Sequence, residues 1–410
     1  PEIGTHSDVI LIIGSNTAEC HPLIARQVVN AQARGAKVIV IDPRGTDMAN
    51  KADIFINPKV GYNIPVINAM INVIISEKLH KPDFIAQHTT GFDDMARAVE
   101  DYTPENIELM TGIPAQQLVE AARLFANAKA AAILYAMGIT QFTHGTANVM
   151  ALSNLAVITG QIGRPGAGIC PLRGQNNVQG SCDLGALPNS YPAYLRVTDE
   201  KVATHFEQAW QAKLSRNVGL RVTQVPAAIE ENKLKALFVF GENPLMSDPD
   251  SDELRHELEH LELVIVMDLF MTVRKAVEPP EGAREDWWTF GEIAKRMGYD
   301  GMSYNSAEDI WNEVRRIVPA TYGGISYARL DHEPGLCWPC PDENHPGTPI
   351  LHQGGLFATP TQKAELRPVL FDPDILPKEK GIVYERPMLG CIAEHTDTEY
   401  PFLLTTGRRV

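Results

Sequence analysis

Apolar residues in this chain fall in short unbroken runs, separated by polar turns and by stretches with a helical repeat. VILII, VIVI, AAAILYA, ALFVF and LVIVM, beginning at 9, 38, 130, 236 and 263, are too short for helices and have no polar face. Such runs predict strands buried on both faces of a parallel sheet. Between the first two, PLIARQVVNAQARG is apolar at Leu23, Ile24, Val28 and Ala31, a helical stripe that Gly35 is placed to cap. A third short strand is expected over 53–56, and NIPVINAMINVIISEK over 63–78 is apolar enough for a buried helix. Thr103-Pro104-Glu105 and Thr111 to Pro114 punctuate further helices, the second leading into AQQLVEAARLFANA. A helix with small residues for close packing is expected from Gly145 to Thr159. EDWWTFGEIAKRMGY and SAEDIWNEVRRIV read as amphipathic helices, and 320–362 as loop-rich. Alternating strands and helices give an α/β fold with parallel sheets covered on both faces.

One unit of this pattern occurs twice. VILIIGSN, with Gly14, Ser15 and Asn16, is followed by VIVID ending at Asp42; ALFVFGEN, with Gly241, Glu242 and Asn243, is followed by LVIVMD ending at Asp268. The glycine-to-aspartate separation is 28 residues in the first copy and 27 in the second. Glycine at a strand-to-helix turn lets backbone N–H groups approach a phosphate, and an acid at the tip of the next strand takes hydroxyls. Two such units predict two dinucleotide sites, or one large cofactor held by both copies. No Walker A or G-x-G-x-x-G string accompanies them.

Between the copies, Gly160 to about Pro192 reads as a long irregular stretch with seven glycines and, counting Pro192, four prolines. Its low charge argues against disorder, and loops of this length are usually functional. It contains PLRGQNNVQGSCDLGALP, residues 171–188, where Arg173 on a glycine-flanked turn precedes the amides Gln175, Asn176, Asn177 and Gln179. Its planar guanidinium fork suits a carboxylate or a phosphate, and the amides add donors and acceptors without charge. Asp42-Pro43-Arg44 is a second polar cluster: proline stops the strand and leaves Asp42 and Arg44 at its carboxyl end. The corresponding Asp268 is followed by Leu269-Phe270, without the basic partner.

The chain has 410 residues, enough for two or three domains. Its net charge of -15 argues against binding a nucleic-acid backbone, and no apolar run is long enough to span a bilayer. Six cysteines over this length form no disulfide framework, which fits a reducing, cytoplasmic compartment. Cys337 and Cys340, in CWPC, read as loop thiols rather than as a redox or metal pair. His256 and His260 stand four apart in ELRHELEHLE and read as a solvated helix face rather than a zinc site. Pro1 is no native start and YPFLLTTGRRV reads as a strand entering a new domain, so a longer parent protein is expected.

VILIIGSNTAECHP, VIVIDPR, MGITQFTHG, ITGQIGRPGAG and above all PLRGQNNVQGSCDLGALP resemble the molybdopterin oxidoreductase family, within it the catalytic subunits of formate dehydrogenases. The resemblance runs from about Ser7 to the last residue and includes GLCWPCPDENHPGTPIL. It implies two Rossmann-like αβα domains and a bis(molybdopterin guanine dinucleotide) cofactor carrying molybdenum or tungsten. Gly14, Asn16, Glu19, Asp42 and Arg44 would bind one dinucleotide, with Met137, Gly138 and Gln141 nearer the pterin. Gly241, Glu242, Asn243, Ser247 and Asp268 would bind the other, with Asp286 at the start of a helix. Arg173 matches the residue expected to hold the formate carboxylate, and Gln175 a neighbouring cofactor contact. A [4Fe-4S] cluster and the metal's own protein ligand are expected upstream of Pro1, and an iron–sulfur electron-transfer partner beyond the chain. The expected division is 1–175 for the first domain, 176–300 for the second, 301–400 for a helical and loop-rich region associated with it, and 401–410 for the start of another. A segment is expected to be missing between Thr272 and Val273. A nitrate reductase, a non-catalytic subunit of an electron-transfer complex and a plain nucleotide-binding α/β protein are the competing readings. The R-G-Q-N-N-V-Q-G run counts against the first, Arg173 and both glycine turns against the second, and the third leaves the amide-rich loop unexplained.

Overall fold

The computed structural model describes residues 2–142, 144–175, 177–242, 244–247, 251–267, 284–333 and 335–371. The described residues separate into two compact units, those within 1–176 together with 350–371 and those within 177–349.

The first unit is built on a parallel sheet. Its strands are β1 (Val9–Ile13), β2 (Lys37–Ile41), β3 (Ile54–Ile56), β4 (Ala131–Tyr135) and β5 (Gly168–Pro171), in the order β3-β2-β1-β4-β5. Every pairing is parallel, with Val9 opposite both Lys37 and Ala131. Alternate residues of one strand enter different cores. Val9, Leu11 and Ile13 join a cluster with α2 (Asn63–Ser76), α3 (Ala115–Ala126) and α4 (Gly145–Ile158). Ile10 and Ile12 join a cluster with α1 (Pro22–Ala33) on the opposite face. This is why the strands read as continuous apolar runs, since neither face meets water. The Asp8 carboxylate accepts from the Lys129 and Ala130 backbone N–H at 3.0 and 2.7 Å, aligning the starts of β1 and β4.

The fifth strand departs from expectation. The 160–192 stretch reads as irregular, but Gly168–Pro171 adds to the sheet beside β4, with Ile169 opposite Ile133 and Pro171 opposite Tyr135. Only Ile169 and Cys170 in it are apolar, too few for a periodicity signal. The end of the described chain also differs from the expected division. Residues 350–371 pack on the first unit although 301–400 were expected with the second. Ala364–Glu365 pairs in parallel with Thr89–Thr90, and Asn68 and Asn154 donate to the carbonyls of Val369 and Arg367, each at 2.8 Å.

The second unit holds α5 (Val178–Asp183), α6 (Glu200–Trp210), β6 (Ala236–Phe240), α7 (Ser251–Leu258), β7 (Leu263–Met267), α8 (Asp286–Arg296) and α9 (Ala307–Ile317). β6 and β7 pair in parallel, Ala236 opposite Leu263, which gives the expected second β-α-β unit. Its strands are not buried as the first pair are. Val239 is buried, but Phe240 is 40% and Val266 64% exposed among the described residues. A separate core forms from Tyr191, Phe206, Ile317, Tyr322 and Cys340 with Trp210, Trp311 and Trp338 around it. Among the described residues no helix is long and apolar enough to cross a membrane.

Candidate functional site

In the first unit the chain runs outward from β1 to β2 and β3, then returns to place β4 on the other side of β1. Strand order therefore reverses between β1 and β4, and the crevice beyond their carboxyl ends is where open parallel sheets bind ligands. Gly14 leaves β1 at φ +58°, a conformation that side-chain-bearing residues adopt at a cost. A Cβ on Gly14 would lie 2.6 Å from the Gly138 carbonyl carbon, and one on Gly138 2.6 Å from the Gly14 oxygen. Gly138 N–H donates to that oxygen at 3.0 Å, so the turns after β1 and β4 touch backbone to backbone. Two glycines thus form the floor of the crevice.

Asp42 ends β2 beside this floor and is 5% exposed. One carboxylate oxygen accepts the Arg44 N–H at 2.9 Å, and the Asp42 carbonyl accepts from Asn57 at 2.9 Å. Burial pushes its carboxyl pKa up, and the Arg44 N–H and guanidinium charge oppose that rise. Arg44 is half-buried and Glu19 exposed. Asn16 is half-buried, and its side-chain oxygen, shielded from water, has no partner among the described residues.

The turn after β4 carries Met137, half-buried, and Gly138 and Gln141, both exposed. It is held from behind. Asn148 of α4 donates to the Ile139 carbonyl at 2.9 Å, and Gly145 lies so close that a Cβ there would stand 2.1 Å from the Thr140 oxygen. Between turn and helix sits His144, 4% exposed, whose two ring nitrogens have no partner among the described residues. Burial lowers its pKa to about 4, so the ring is neutral at pH 7. A buried imidazole without a partner is costly, so this one calls for an explanation in a ligand. Sequence reasoning passed over His144; the string MGITQFTHG contains it, but nothing in that string reveals burial.

Arg173 reaches the same edge by way of β5. Leu172 N–H donates to the Tyr135 carbonyl at 2.7 Å, so the strand pairing persists to the residue before Arg173. The side chain is exposed and pairs with no other side chain among the described residues. Its charge is felt by Tyr135, whose hydroxyl pKa is raised by burial and lowered by the Arg173 charge. Gln175, two residues on, is exposed as well. The structure thus brings Gly14, Asn16, Asp42, Arg44, Met137, Gly138 and Arg173 to the carboxyl edge of one sheet.

In the second unit Gly241 leaves β6 at φ +62°, close to the value of its counterpart. The Ser247 hydroxyl donates to Glu242 at 2.9 Å, and all three residues are exposed. Asp286 is the first residue of α8, half-buried, with its carboxyl pKa raised by burial. Phe290 sets α8 on β6, its ring 5.4 and 5.3 Å from those of Phe238 and Phe240. Asn243, Asp268 and the Thr272–Val273 junction lie outside the described residues.

Residues 3–274 match the family model for molybdopterin oxidoreductase. The F420-dependent formate dehydrogenase subunit alpha of Methanocaldococcus jannaschii is 43% identical over 98% of this chain and 61% of its own length. Formate dehydrogenase H of Escherichia coli is 38% identical over 99% of this chain and 58% of its own. The assimilatory nitrate reductase catalytic subunit of Bacillus subtilis is 32% identical over 98% and 60%. The chain therefore spans about three fifths of the length of these curated relatives. Among solved structures, acetylene hydratase from Pelobacter acetylenicus superposes with a TM-score of 0.64 at 21% identity, over 88% of this chain and 56% of that one, a likeness of fold.

Proposed function

The chain belongs to the molybdopterin oxidoreductase family, and on that premise we propose that it comes from the catalytic subunit of a formate dehydrogenase. The observation that carries this reading is identity of 43% and 38% to two formate dehydrogenases across nearly the whole chain. The run R-G-Q-N-N-V-Q-G beginning at Arg173 supports it. The reaction would convert formate to carbon dioxide, releasing one proton and two electrons, or run in reverse.

The first unit's residues fit a molybdopterin guanine dinucleotide. A floor of two glycines admits a phosphate to backbone N–H groups, and a buried Asp42 carboxylate suits a hydroxyl or a base N–H. The Asn16 oxygen and His144 nitrogens, without partners among the described residues, would supply an acceptor and a neutral imidazole for a polar heterocycle. Gly14, Asn16, Glu19, Asp42 and Arg44 would hold the dinucleotide, and Met137, Gly138, Gln141, Gln175 and His144 the pterin end. Gly241, Glu242, Asn243, Ser247, Asp268 and Asp286 would hold a second dinucleotide, making the cofactor the bis form. When bound, the group supplies a molybdenum or tungsten centre able to take up both electrons. A [4Fe-4S] cluster, an iron–sulfur partner to receive those electrons and a cytoplasmic location belong to the same proposal.

Arg173 would orient formate. Its fork can donate two parallel hydrogen bonds to the carboxylate, fixing the C–H bond's direction and offsetting the anion's charge. The guanidinium has no competing carboxylate among the described residues, so it is available for this. In the full-length protein Arg173→Ala is expected to lower kcat/KM for formate about a hundredfold, as loss of a charge-stabilising donor does, with pterin content unchanged. Arg173→Lys should recover part of it. Unchanged turnover at low formate would refute the assignment, and nitrate reduction without formate oxidation by the wild-type protein would move the reading to the nitrate reductases.

A further inference from the structure

The run His256-Glu257-Leu258-Glu259-His260 has the form H-E-x-x-H, although the charged surroundings read as a solvated helix face. Its histidine and carboxylate donor atoms lie within 4.8 Å of one another. α7 ends at Leu258 and tightens as it ends: the N–H groups of Glu259, His260 and Leu261 donate to the carbonyls of His256, Glu257 and Leu258 at 3.3, 3.0 and 3.4 Å. That turn brings the two imidazoles to 5.0 Å between centroids, nearly edge to face. His256 Nδ1 stands 3.1 Å from a Glu257 carboxylate oxygen. Two ligands each about 2.0–2.1 Å from a tetrahedral ion stand at about this separation.

Glu257 supplies an independent observation. It is 9% exposed, and its second carboxylate oxygen is shielded from water without a partner among the described residues. A buried carboxylate with half its capacity unused is costly and unusual, whereas one facing a cation is ordinary. The two histidines are exposed, so an ion can reach the site from solvent.

We propose that His256, Glu257 and His260 bind one divalent transition-metal ion of the zinc, nickel or copper class, with water completing the shell. Imidazole and carboxylate ligands suit these ions, and hard magnesium or calcium would prefer an all-oxygen set. The site is a clamp rather than a catalytic centre, because the described residues offer no further ligand beside the three. It ties the last turn of α7 to the connection that enters β7. The cofactor cradle plays no part in it, so the proposal stands whether or not the formate reading does.

The test uses the full-length protein carrying Cys337→Ser, which removes an exposed competing thiol, titrated with Zn²⁺ and then Ni²⁺ by calorimetry. One equivalent is expected that disappears, or weakens about tenfold or more, in His256→Asn/His260→Asn. Both positions are on the surface, so that variant keeps the fold. Glu257→Gln should weaken the same equivalent while circular dichroism stays unchanged. Equal stoichiometry and affinity in the double histidine variant, or no effect of Glu257→Gln, would overturn the assignment.

Discussion

The contact between Gly14 and Gly138 can be tested quantitatively, because a third glycine separates its two components. Gly14→Ala combines two penalties. The backbone stays at φ +58°, where a Cβ costs about 1–2 kcal/mol, and the new carbon meets the Gly138 backbone at 2.6 Å. Overpacking of this kind typically costs about 1–3 kcal/mol, so the substitution should destabilise by about 2–5 kcal/mol. Gly138→Ala carries the clash without the positive φ and should cost about 1–3 kcal/mol. Gly35→Ala carries the positive φ alone, at +94° with nothing within 4 Å of its Cβ, and should cost about 1–2 kcal/mol.

The expected order in stability is Gly14→Ala worst, with the other two milder, but the order in cofactor retention differs. Gly14→Ala and Gly138→Ala should both lose pterin, because each forces apart the turns that form the floor. Gly35→Ala should retain it, because that turn is at the opposite end of the sheet from the crevice. Hydrogen exchange of the β1 and β4 amides reads the local stability, and fluorescence of acid-released pterin reads the content. Full pterin retention in Gly138→Ala, or equal loss in Gly35→Ala, would refute the argument that the glycine contact forms the cofactor floor.

Three further outcomes follow from the same geometry. His144 titrates near 4 in the folded protein and near 6.5 when exposed, so between those values the unfolded chain binds more protons and stability falls as pH drops. The shift is equivalent to about 3 kcal/mol, and His144→Phe should flatten that part of the pH dependence in cofactor-free protein; an unchanged pH slope would contradict the burial argument. Asp42→Asn should weaken retention of the guanine dinucleotide without unfolding the sheet, measured as nucleotide released from the purified protein, and undiminished content would remove Asp42 from the site. Asp183 accepts from Tyr194 and Gln179 on one oxygen, at 2.8 and 2.9 Å, and from Trp338 on the other at 2.9 Å. Asp183→Leu should therefore destabilise the second unit by about 3–5 kcal/mol, read by protection of α5 and α6 amides, whereas a loss below about 1 kcal/mol would show the network to be dispensable.

The sheet and the turns at its carboxyl edge were legible in the sequence wherever burial is two-sided. β1, β2 and β4 announce themselves because both faces of each strand enter cores, leaving no polar position to interrupt the run. Gly14 and Asp42 were legible for a related reason, since a turn after a buried strand has few residues that fit it. β5 was not legible: four residues on the sheet's edge, one glycine and one proline among them, are specified by the pairing with β4 rather than by their own pattern. His144 was not legible either, because the sequence cannot say that an imidazole is buried without partners. The return of residues 350–371 to the first unit depends on contacts with Asn68, Thr89 and Asn154, far away in the chain.

β5 also changes the meaning of the arginine. Read as part of a long loop, Arg173 owes its position to whatever that loop packs against, and its role rests on the string around it. Placed after a paired strand, it is fixed by the same ladder that fixes Gly14 and Gly138, through the Leu172 N–H bond to Tyr135. A substrate-orienting group needs that kind of support, because misplacement by an ångström forfeits most of the benefit of orientation. Weakening the ladder should thus impair formate handling while Arg173 itself is intact. Cys170→Pro removes the N–H that, two residues before Leu172, faces β4, and should lower kcat/KM for formate toward the Arg173→Ala level. Pterin retained with normal turnover in that variant would show that Arg173 is positioned by its own loop, and that β5 is incidental to the site.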